Sequence, residues 1–182
     1  MHPEKDKQTR FLAAYAQVHE GFLRYCSALA FERMDVEDLV QDALLAAYKK
    51  FDELTEPAKL QGYLIRVARN RSVSFFRSSR QKAELTDLHA QRLTARGAGP
   101  EELADVHLLY RAIHKLPAKQ RDAVLLYEIS GYPQREIAEL LGVSEPAVKM
   151  LLQRARKKLT AILTEPGTNL TALLQTAKSI AL

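Results

Sequence analysis

Residues 134–159 limit the possible folds of this chain more than any other stretch. Ile137, Leu140 and Leu141 put one apolar stripe along a short helix. Gly142 then supplies the left-handed conformation that ends a helix at little cost, and Val143 points back into the pair. Ser144 is an N-cap, and Pro146 falls in the first turn of the next helix, where a missing N–H costs little. Val148, Leu152, Ala155 and Leu159 make the inner face of that helix, with Lys149, Gln153, Arg156 and Lys157 outside. A short helix, a glycine turn and a basic second helix make a helix-turn-helix that fits a DNA major groove. An αα-hairpin with a solvated basic face is the plain alternative. The Gly-x-Ser turn and the five basic residues after Glu145 favour DNA.

Elsewhere apolar residues recur at spacings of three and four, almost never in strict alternation, so the chain reads as all-α. Phe11, Tyr15, Val18, Phe22, Tyr25 and Leu29 predict one long amphipathic helix. Asp35 caps a second helix, with Asp38 three residues on as in a capping box. Its apolar line is Val36, Val40, Ala43 and Ala47, with Leu44, Tyr48 and Phe51 beside it. A loop over 52–59 leads to a third helix, from about Leu60 to Arg80. Residues 81–103 are polar, and the glycines and proline at 97–100 break any helix, which predicts a flexible linker. Order returns with Val106, Leu109, Ile113 and Leu116; Pro117 opens another helix and Gly131 closes it. Two small helical domains, 1–80 and 104–165, are therefore expected, followed by a tail, 166–182, that forms a weak helix or stays disordered.

The charges are segregated. Between Gly62 and Lys82 stand five arginines and one lysine with no acid. Arg66, Arg69, Arg77 and Arg80 share one side of the third helix with Asn70 and Val73, and Tyr63, Phe75 and Phe76 are interleaved. Basic residues bind phosphates, and aromatics stack on unpaired bases or simply pack a core; the uncompensated arginine stripe favours nucleic acid. The second helix has the opposite sign, with Asp35, Glu37, Asp38, Gln41 and Asp42. Complementation of the helix dipole accounts for Asp35, Glu37 and Asp38. It accounts less well for Asp42, and a basic protein partner is the other reading.

In this order the pieces resemble an extracytoplasmic-function sigma factor, a small two-domain bacterial initiation factor. Residues 35–48 resemble the family's core-polymerase-binding helix, 62–77 its downstream promoter-element helix, and 116–126 with the helix-turn-helix its second domain. The resemblance runs from Phe11 to Leu163. It implies that Asp35, Asp38, Leu39, Gln41 and Asp42 meet core RNA polymerase at its clamp helices. It implies that Arg66, Arg69, Asn70, Arg77 and Arg80 hold the non-template strand at the minus-ten element. The second domain would then read the minus-thirty-five element in duplex form. Ser144 begins the reading helix, Glu145, Lys149 and Gln153 face bases, and Arg154, Arg156 and Lys157 face phosphates. An anti-sigma protein is the further partner implied. Tyr132-Pro133, Pro146 and Met150-Leu151 depart from the family's usual residues, the last pair standing where Ser-Arg is common. These departures bear on the preferred upstream sequence and not on the class.

A stand-alone transcription regulator would use the same helix-turn-helix but leave the arginine stripe and acidic helix idle. A sigma mimic that only sequesters an anti-sigma protein would need no basic surfaces. Catalysis is the weakest reading: the five histidines are scattered, and there is no Gly-rich phosphate loop. Cys26 and His19, seven apart on one helix, are read as core packing, so no metal, cofactor or small-molecule substrate is expected. A single cysteine allows no internal disulfide, and the polar start carries no signal peptide; with no long apolar run, the expected location is the cytoplasm.

Overall fold

The structure, a computed structural model, describes residues 3–54, 56–81, 100–163 and 169–180, with side chains over 6–54, 56–75, 103–163 and 169–179. Every regular element among the described residues is helical, without a strand, which makes an all-α fold. The chain divides into two compact units, 1–92 and 93–182. The expected linker, 81–103, lies outside the described residues over 82–99.

The first unit contains α1 (Pro3–Ala16), α2 (His19–Ala30), α3 (Val36–Lys49), a 3₁₀ turn (Phe51–Glu53) and α4 (Pro57–Gln81). The single long helix expected over 11–29 is instead α1 and α2. At the break the Val18 N–H donates to the Tyr15 carbonyl at 2.9 Å, a tighter step than α-helix allows, and Val18 turns its branched side chain into the core. The apolar spacing stays in phase across this turn, so periodicity does not register it. Helices α2, α3 and α4 pack on one another, and α1 packs on α4 and α2. Phe22, Tyr25, Cys26 and Leu29 of α2 meet Leu39, Ala43 and Ala47 of α3 and Leu60, Leu64 and Ala68 of α4, all at or near zero exposure. Phe11 carries α1 onto this core through edge contacts with Tyr48 and Phe51, both at 5.3 Å between centroids. Burial pushes the Cys26 thiol ionisation up, so it packs as a small neutral apolar group.

The second unit contains α5 (Pro100–His114), α6 (Ala118–Val124) continued by a π-helical turn (Leu125–Ile129), α7 (Gln134–Leu141), α8 (Glu145–Ile162) and α9 (Leu170–Ile180). Pro100 takes the first helical position of α5, where proline loses nothing, so the helix starts four residues before the expected boundary at 104. The π turn lets the Ser130 N–H reach back five residues to the Leu125 carbonyl at 3.0 Å. Leu125, Leu126 and Ile129 of the turn are buried and continue the buried run Asp122–Val124 at the end of α6. Gly131, at φ +77°, then reverses the chain into α7.

The turn between α7 and α8 has the geometry its sequence requires. Gly142 sits at φ +63°, ψ +43°, and the Val143 N–H closes the end of α7 on the Ala138 carbonyl at 3.0 Å. Ser144 is extended, and its hydroxyl accepts the Ala147 N–H at 3.4 Å. Val148, Leu152, Ala155 and Leu159 are the buried line of α8. The residues for which the sequence allows a weak helix or disorder form α9 over Leu170–Ile180. Asn169 caps it, its side chain accepting the N–H groups of Thr171 and Ala172 at 3.1 and 3.2 Å. Leu174 and Ala177 bury it against α5, α8 and the π turn.

Candidate nucleic-acid and polymerase interfaces

Asp35 spends its carboxylate on its own helix, accepting the N–H groups of Glu37 and Asp38 at 2.8 and 3.1 Å. Asp38 and Gln41 are exposed one turn apart on the outside of α3. Leu39 is a correction: at 1 % exposure it heads the buried line Leu39–Ala43–Ala47, so it packs the unit and presents nothing to a partner. Asp42 is ion-paired to Arg71 of α4 at 2.9 Å, with both side chains about half exposed. That pairing explains the acid two turns into the helix that the dipole did not. Leu45, 61 % exposed, follows Asp38 and Gln41 on the same line of α3. Sequence reading passed over it, although an apolar residue out of phase with the buried stripe was the signal available.

On α4, Arg66, Asn70 and Val73 are exposed and Arg69 is half-buried along one line. The side chains of Arg77 and Arg80, two further residues of the expected stripe, lie outside the described residues. Ser72, on the opposite side, is buried. Of the interleaved aromatics, Tyr63 and Phe75 are half-buried, and the Lys50 ammonium lies 5.8 Å from the Tyr63 ring centroid. Phe76 also falls outside the described side chains.

In the second unit Ser144, Glu145, Lys149, Gln153, Arg154, Arg156 and Lys157 are all exposed along α8. Arg156 differs from the rest: its guanidinium is ion-paired to Glu128 of the π turn, the Nε–H donating at 2.9 Å. It ties α8 to the preceding turn, so a phosphate contact by Arg156 would compete with Glu128. Lys158, exposed beside Lys157, is a further cation that the helical wheel had not singled out.

Two family descriptions match the two units: Sigma-70 region 2 over residues 14–82, and Sigma-70, region 4 over residues 107–159. The ECF RNA polymerase sigma factor EcfG of Rhodopseudomonas palustris is 30% identical over 131 residues, which cover 72% of each chain. The chain belongs to the extracytoplasmic-function sigma factors. The RNA polymerase sigma factor SigZ of Bacillus subtilis is 28% identical over 147 residues, 81% of this sigma factor and 83% of SigZ. Among solved structures, the sigma factor RpoE in complex with the anti-sigma factor NepR, from Bartonella quintana, shares the fold at TM-score 0.65, with 24% identity over 88% of this chain and 98% of that one. CnrH in complex with the cytosolic domain of CnrY gives TM-score 0.61 and 26% identity, covering 86% and 89%.

As a sigma factor the protein directs promoter-specific transcription initiation by RNA polymerase, and both units are needed to account for it. The stand-alone regulator explains only the second. Helices α3 and α4 lie within the first match and α8 within the second up to residue 159, whereas α9 lies outside both. Among the described residues no helix is long and apolar enough to cross a membrane.

Proposed function

We propose that the three faces divide the work of initiation. The first unit, expected as 1–80, carries polymerase binding on α3 through Asp38 and Gln41, with Asp42 held in place by Arg71. In the same unit Arg66, Arg69 and Asn70, continued by Arg77 and Arg80, hold the unpaired strand of the downstream element. The second unit, expected as 104–165, lays α8 in the major groove of the upstream element, where Glu145, Lys149 and Gln153 face bases and Arg154 and Lys157 face phosphates. The protein acts in the cytoplasm, has no catalysis of its own, and is held silent by an anti-sigma partner, as its relative RpoE is bound by NepR.

The observation that carries this reading is the opposite charge of two exposed lines in one unit. Asp38, Gln41 and Leu45 on α3 carry no cation until Lys49 in the last turn, and Arg66, Asn70 and Val73 on α4 carry no acid. DNA repels the first line and attracts the second, so α3 suits a protein. Holoenzyme assembly tests it. Asp38→Lys combined with Asp42→Asn should abolish binding to core polymerase while circular dichroism stays unchanged. Undiminished binding to core would remove α3 from the interface.

A further inference from the structure

Charge does not account for one residue of α8. Met150 is 46 % exposed and is the one large apolar side chain in the middle of the outward face. With ~100° of rotation per residue, the line opposite Val148, Leu152, Ala155 and Leu159 runs through Pro146, Met150, Gln153, Arg154 and Lys157. Met150 thus stands at the middle of the outward face, more directly outward than Lys149. A protein-binding patch would place other apolar groups beside it. Beside it one turn back are only the small Pro146 and the half-buried Ala147, its other exposed neighbours are Lys149, Gln153 and Arg154, and the next exposed large apolar residue on the helix, Ile162, is roughly 18 Å further along.

A methionine followed by cations and an amide, with only a small apolar patch behind it, matches a surface that is anionic at its edges and carries one apolar group among polar ones. The DNA major groove is such a surface. Its floor presents hydrogen-bonding groups at every base pair and one apolar substituent, the C5 methyl of thymine. An unbranched thioether chain with three rotatable bonds adapts well to a single methyl.

We propose that Met150 reads a thymine methyl in the upstream promoter element and is a specificity-determining residue of α8. This rests on the placement of α8 in that element. Lys149 and Gln153 then address the polar edges of the flanking base pairs, and Arg154 and Lys157 fix the helix on the backbone.

Replacing thymine by uracil deletes this methyl and leaves the pairing edge intact. In transcription by holoenzyme assembled from the full chain, each upstream thymine is replaced by uracil in turn, at subsaturating holoenzyme. At one position the replacement should slow initiation about fourfold, the worth of one buried methyl. Met150→Ala should lose a similar factor on the thymine template and become indifferent to that uracil. Met150→Leu, still apolar, should keep the dependence. The inference is overturned if Met150→Ala remains as sensitive as the parent at every thymine, or if the parent tolerates uracil at all of them. A scrambled upstream element that initiates as well as the intact one would instead overturn the placement of α8, and the inference with it.

Discussion

At Gly142 a side chain would meet nothing within 4 Å, so a substitution there costs conformation alone. Gly142→Ala, forced to keep φ near +63°, should destabilise the second unit by about 1–2 kcal/mol. A urea transition with an unchanged midpoint would show that the turn relaxes to another geometry. The basic residues of α8 should separate in the same way. Lys157→Ala should lower the salt slope of upstream-element binding by about one, the signature of a lost phosphate contact. Arg156→Ala should lower it less, because its guanidinium is held by Glu128, and should also loosen α8 from the π turn. Binding titrated at several salt concentrations separates the two, and equal slopes would mean that Arg156 leaves Glu128 for DNA. Residue types and spacing made the caps at Asp35 and Ser144 legible, since each serves its own helix. Arg156 was not legible, because its partner lies 28 residues away and no local pattern announces it. Leu39 was misjudged for a related reason: the spacing put Val36 and Val40 on the inner line, and only the packing of α3 on α2 and α4 selects Leu39–Ala43–Ala47.

Among the elements, α7 and α8 were the most legible, because glycine, serine and proline each mark a position that few other residues fill as well. The break between α1 and α2 was hidden by apolar spacing that remains in phase. The π turn was hidden because one extra residue in a helical turn changes no residue type; its trace is the run of consecutive apolar residues from Ala123 to Leu126. The tail carried a signal that composition masked: Asn169 is a cap, and Leu170, Leu173, Leu174 and Ala177 follow at helical spacing. Helix α9 is therefore part of the second unit's core. Leu174→Ala should cost about 2–5 kcal/mol of that unit's stability by opening a cavity against its neighbours. A change below 0.5 kcal/mol in the denaturation of the full chain would mean that α9 is detached in solution.

At the scale of the molecule, the second unit is poorly equipped to hold a promoter alone. The exposed cations on the outer part of α8 are Lys149, Arg154, Lys157 and Lys158. About three or four phosphate contacts leave duplex binding by the free chain near the non-specific range, roughly 10⁻⁴–10⁻⁶ M. Specificity then comes from both units engaging together on polymerase, and the free chain is expected to footprint no promoter. The most direct measurement is a genome-wide map of transcript 5′ ends made with core polymerase, with and without the full chain. The account predicts a discrete set of starts that appear only with the chain, share an upstream and a downstream element, and vanish with the α3 variant Asp38→Lys, Asp42→Asn. Starts identical to those of core alone, together with a tight sequence-specific footprint by the isolated chain, would contradict it.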